Sequence, residues 1–137
     1  MREELRTNLL VVRGKVFTGS GEGGKFVRLL WFRRQVKEKL NFDPYPGTLN
    51  LFLEDEDAQS LMDLYGEGLG FKIKPKDGFC SGRLYRALIA DAVHGAVIKP
   101  CIPNYPRNIL EIIAPVHLRS FINLRDGDVV EVKIWFR

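Results

Sequence analysis

The chain is poor in cysteine and histidine, with two of each among 137 residues. Cys80 and Cys101 have no partners at metal-ligand spacing, and His94 and His117 are isolated, so neither a disulfide framework nor a zinc site is indicated. Long apolar runs are missing as well. None approaches the length that spans a bilayer, and Glu3 and Glu4 stand where a secretory leader would begin its apolar core, so a cytoplasmic protein is expected. The composition, 45% hydrophobic and 28% charged, does not favour disorder, and the length places residues 1–137 in one domain. Nor is the charge one-sided: 21 basic residues against 17 acidic ones leave a net charge of +4. The densest basic cluster is Arg28, Arg33, Arg34, Lys37 and Lys39, most of it a solvated helix face; the modest positive field suits a nucleotide or another polyphosphate.

Glycine and proline are plentiful, and they mark a rigid corner at Asp43-Pro44-Tyr45-Pro46-Gly47-Thr48-Leu49-Asn50-Leu51. The two prolines preset φ, and Gly47 permits a positive φ. If Leu49, Leu51 and Leu53 point into a core, strand alternation sets Thr48 and Asn50 together on the opposite face. A hydroxyl and an amide two residues apart are hard oxygen donors of the kind Mg²⁺ accepts beside water and phosphate oxygens. The same residues also suit a plain turn with ordinary strand hydrogen bonds.

Residues 8–17 read as a strand, with Gly14 a bulge or bend. The glycine-rich segment 18–25 follows, and its unshielded N–H groups, Ser20 and Lys25 can wrap an anion. Gly19, Gly21 and Gly24 fit G-x-G-x-x-G, while Gly19, Gly24 and Lys25 fit G-x-x-x-x-G-K. Phe26, however, stands where a Walker loop needs a hydroxyl for its metal, and only Asp91, after an apolar run, keeps that reading open. Leu29, Phe32, Val36 and Leu40 predict a helix over 28–40, and a second short helix, capped by Asp57, should run to Gly66.

Beyond Gly68 the pattern is strand and turn: 69–74, a turn at 75–78, 82–92, 96–99, 109–115 and 129–136, with a helical turn at 116–122. Arg83 and Tyr85 share one strand face that could meet a ligand, and the prolines of 100–106 should stiffen that connection into a wall. Glu111 interrupts an apolar strand. Its charge needs a partner, a solvent edge or a polar ligand.

Taken together, Gly19-x-Gly21-Glu22-Gly23, Asp43-Pro44-Tyr45-x-Gly47-Thr48-Leu49-Asn50-Leu51, Leu110-Glu111-Ile112-Ile113-Ala114-Pro115 with Leu118-Arg119, and Leu124-x-Asp126-Gly127-Asp128 resemble the archaeal-type CTP-dependent riboflavin kinases. The resemblance runs from about residue 12 to 134. It implies a mainly β fold, a small six-stranded cradle-loop β-barrel with one or two peripheral helices, that phosphorylates riboflavin to FMN with CTP and Mg²⁺. By the same resemblance the nucleotide falls on Ser20, Gly21, Glu22, Gly23, Gly24, Lys25, Val116, His117, Leu118 and Arg119, and the metal on Thr48 and Asn50. Glu111 falls on the flavin-contacting acid, and Glu111 and Lys25 are the candidate catalytic groups. At Pro103 the family usually carries a threonine that faces the flavin, so one polar contact must come from elsewhere. The expected partners are CTP/CDP and riboflavin/FMN, without nucleic acid or membrane, on a monomer. The alternative is a non-catalytic flavin- or nucleotide-binding barrel.

Overall fold

The computed structural model describes residues 8–76 and 78–136. Alternating apolar residues build the strands β1 (Leu9–Phe17), β2 (Leu49–Leu53), β3 (Phe71–Ile73), β4 (Gly82–Ile89), β5 (Val93–Pro100), β6 (Ile109–Ile113) and β7 (Val129–Trp135). They pair antiparallel in the order β3-β4-β5-β6-β2-β1-β7, and a further β4–β7 pairing closes six of them into a barrel. β3 stands outside that ring. It uses the same edge of β4 as β7 does, pairing with residues 82–84 where β7 pairs with 87–89. A Walker fold needs parallel strands, so this closed antiparallel barrel removes the Walker reading, and Asp91 sits in the β4–β5 turn, bonded to Lys133 at 2.7 Å.

The barrel holds two apolar layers. Inside lie Val12, Val16, Leu51, Leu53, Tyr85, Ala87, Leu110, Ile112, Val130 and Val132, joined by Ala58, Leu61 and Leu64 of helix α3 (Asp55–Gly66). On the outer face, α1 (Glu22–Val27) and α2 (Leu30–Leu40) lay Val27, Phe32, Val36 and Leu40 on Ile73, Leu84, Ala96, Ile98 and Ile113. A fourth helix, α4 (Leu118–Phe121), fills the turn expected at 116–122. No helix among the described residues is long and apolar enough to cross a membrane.

Several sequence expectations are corrected. Among the described residues there are four helices, because the glycine-rich segment, read as a loop, winds into α1, and α2 begins only after an extended Leu29. Gly14 is no bulge: it lies in an unbroken ladder between Leu53 and Val130, where a Cβ would come within 2.7 Å of Leu51 Cβ. Asp57 does not cap α3; its carboxylate accepts the Arg13 N–H at 2.9 Å, and Glu54 holds the cap position. The strand expected over 82–92 ends at Ile89, since Ala90 and Asp91 turn the chain with φ of 54° and 53°. Of the turn at 75–78, Asp77 lies outside the described residues.

Candidate functional site

Thr48 and Asn50 come to one mouth of the barrel because the proline corner is tied down. Tyr45 N–H donates to the Ala114 carbonyl at 2.8 Å, and Gly47 takes a φ of 153°. Leu49, Leu51 and Leu53 then bury inward as expected, leaving Thr48 and Asn50 half-buried on the cleft side. Antiparallel pairing of β2 with β6 sets Asn50 directly opposite Glu111. The result is an oxygen cluster. Thr48 Oγ1 lies 3.4 Å from both Asn50 Oδ1 and Glu111 Oε1, while Tyr105 donates its hydroxyl to Glu111 Oε2.

The glycine-rich segment roofs this cluster. A Cβ on Gly19 would stand 2.6 Å from Asn50 Nδ2, and one on Gly23 would stand 2.5 Å from Glu111 Oε1, so no other residue fits without moving the cluster. Gly21, at φ 89°, turns the chain into α1. The start of the segment is fastened at Thr18, whose hydroxyl donates to Asp126, and Asp126 also pairs with Arg119 at 2.9 Å. Those two contacts, Arg119 first, hold the Asp126 carboxyl below its ordinary range.

Three hollows meet around the cluster. A cleft of about 590 Å³ runs between residues 18–25, Arg28, Thr48, Asn50, Glu111 and Arg119. A smaller recess of about 200 Å³ continues from it past Thr48 to Val116, His117 and Leu118, where the Tyr45 and His117 rings lie 4.9 Å apart. On the other side, an apolar cleft of about 530 Å³ is walled by Phe26, Leu29, Phe79, Ile98 and Ile102. Glu22, Gly23, Lys25, Tyr105 and Glu111 line both large clefts.

The structure thus brings Ser20, Gly21, Glu22, Gly23, Gly24, Lys25, Thr48, Asn50, Glu111 and Arg119 to one cleft, and Val116, His117 and Leu118 to the recess beside it. Lys25 is exposed and pairs with Glu22 at 3.6 Å. Pro103 is exposed; its neighbours Ile102 and Tyr105 are the residues of that turn that reach the apolar cleft. Arg83 and Tyr85 do not serve a ligand face. Tyr85 is fully buried in the barrel, where burial pushes its phenol up to about 12, and Arg83 bonds the Leu69 carbonyl. Sequence reasoning gave no site role to Tyr105, Tyr45, Asp126 or the aromatic wall of Phe26 and Phe79, although Tyr45 and Asp126 stand in the motifs of the resemblance and Tyr105 lies among prolines near Glu111.

A family model for CTP-dependent riboflavin kinases, described as domain of unknown function DUF120, matches residues 16–134. The chain belongs to this family. Among its relatives, a protein of Archaeoglobus fulgidus named riboflavin kinase is 41% identical over 127 residues, 90% of this chain and 54% of that protein. Proteins of the same name from Pyrobaculum aerophilum and Methanocella arvoryzae are each 42% identical, the first over 98% of this chain and 66% of its own length, the second over 90% and 56%. The chain therefore spans between about half and two thirds of the length of these curated relatives. Membership also fits the site: three of the four motifs of the family resemblance line the clefts around the oxygen cluster, and the fourth carries Asp126, which holds Thr18 and Arg119.

Proposed function

We propose that this chain is a cytoplasmic, monomeric CTP-dependent riboflavin kinase that transfers the terminal phosphoryl group of CTP to the ribityl 5′-hydroxyl of riboflavin, giving FMN and CDP. One observation carries the reading: Thr48, Asn50 and Glu111 sit under a glycine-rich roof where a polar cleft meets an apolar one. A phosphate donor needs the first and a flavin ring the second. The names of the relatives favour a kinase over a non-catalytic barrel.

The donors fit Mg²⁺. Thr48 Oγ1 and Asn50 Oδ1 are hard oxygens 3.4 Å apart beside a carboxylate, and glycines 19 and 23 let the main chain approach them closely. When bound there, Mg²⁺ would offset charge on the phosphate oxygens. Residues 20–25 hold the triphosphate through main-chain N–H groups and the Lys25 ammonium, with Arg28 and Arg119 adding positive charge at the same cleft. The recess past Val116, His117 and Leu118 takes the base and sugar, against the paired rings of Tyr45 and His117. Phe26, Phe79 and Ile102 cover the flavin rings, and Glu111 orients the acceptor. Phosphoryl transfer asks for alignment and charge neutralisation more than for covalent chemistry.

Purified protein with riboflavin, Mg²⁺ and either CTP or ATP should form FMN with CTP as the better donor; no FMN from either nucleotide would overturn the proposal. Thr48→Ala together with Asn50→Ala should lower kcat by at least about 100-fold while riboflavin binding, read by flavin fluorescence, persists.

A further inference from the structure

Tyr105 is the one residue of the connection 101–108 that turns inward: it is half-buried, and its neighbours on both sides are exposed. Prolines 103 and 106 restrict the backbone around it, Asn104 takes a φ of 64°, and the Tyr105 N–H closes a turn onto the Ile102 carbonyl at 3.2 Å. The ring therefore reaches the junction of the two large clefts, which it lines together with Glu111. Its hydroxyl donates to Glu111 Oε2, while Oε1 of the same carboxylate faces Thr48. Both oxygens are thereby assigned, and the carboxylate plane is fixed between the polar cleft and the apolar one.

We infer that Tyr105 is a positioning residue that aims Glu111 at the acceptor and so sets riboflavin affinity, a role that rests on the kinase reading above. Three observations support it. Burial, then the bond to Glu111, push the phenol above its ordinary range, so Tyr105 stays protonated and remains a donor at neutral pH. Pro103, in the same turn, has no hydroxyl and no N–H to offer on that side. Tyr105 also stands clear of the recess past His117 proposed for the base and sugar, so it should act more on the acceptor than on recognition of the base.

Tyr105→Phe keeps the ring and removes the donor. It should weaken riboflavin binding, measured by fluorescence quenching, about tenfold, while the KM for CTP stays within about twofold and the melting temperature holds. In a Glu111→Gln background the same change should add less than about twofold, because the partner it aims is already altered. Losses that simply multiply in the double variant, or unchanged riboflavin binding in Tyr105→Phe, would overturn the inference while leaving the kinase reading in place. A wild-type chain that binds no riboflavin would instead overturn that reading and this role together.

Discussion

A methyl group at position 23 would stand 2.5 Å from Glu111 Oε1 and 2.8 Å from Thr48 Oγ1. Gly23→Ala must therefore displace the oxygen cluster or lift the glycine roof, and misplacing reacting groups by an ångström costs on the order of 100-fold in rate. Its kcat/KM should fall by about that factor, with circular dichroism unchanged. Asp126 makes a pH prediction. Its carboxyl lies below the ordinary value of 3.8, so its contribution is present above that value and is lost as pH falls through the lower folded one. Asp126→Asn should melt below wild type at pH 7, and the two melting curves should converge in strong acid; a gap that persists there would refute the anchoring of Thr18 and Arg119. Tyr85 is different, because its buried hydroxyl has no hydrogen-bond partner among the described residues. Tyr85→Phe should be neutral or stabilising by about 1 kcal/mol in urea denaturation, since it removes an unsatisfied group without opening a cavity.

The turn between β4 and β5 asks for two consecutive left-handed residues, and the sequence supplies Ala90 and Asp91 at φ 54° and 53°. The Ala92 N–H closes the turn onto the Ile89 carbonyl at 2.9 Å. Hairpins of this kind ordinarily use asparagine or glycine, so Ala90→Asn should raise stability by about 0.5–1 kcal/mol, read as a higher urea midpoint at unchanged slope. The same turn explains why strand limits were misjudged. No glycine or asparagine marks it, and Leu88-Ile89-Ala90 reads as continuous strand. The β2 alternation, by contrast, was legible because Leu49, Leu51 and Leu53 carry a burial signal that does not depend on distant residues. For α1 it was not. Gly23 and Gly24 are poor helix formers, and the helix follows from packing Val27 under α2 and from the tight approach to Thr48, neither of which local propensity contains. Thr48, Asn50 and Glu111 could be singled out from chemistry and motif, but their meeting depends on the β2–β6 register.

Closure gives the molecule two tiers of stability. The six ring strands are each paired on both edges, while β3 is held on one edge only, by three residues of β4. Native-state hydrogen exchange should show the amides of β1, β4 and β7 opening together at the global unfolding free energy, and those of β3 exchanging much faster. Equal protection in β3 would mean that α2 and the barrel unfold as one unit.

The polar and apolar clefts meet at residues lining both, Glu22, Gly23, Lys25, Tyr105 and Glu111, so each proposed reactant has a hollow of its own. Neither reactant has to depart before the other arrives. Direct transfer from the bound triphosphate to the acceptor hydroxyl at that junction involves no phosphoryl-enzyme stage, so double-reciprocal rate plots for the two substrates should intersect rather than run parallel.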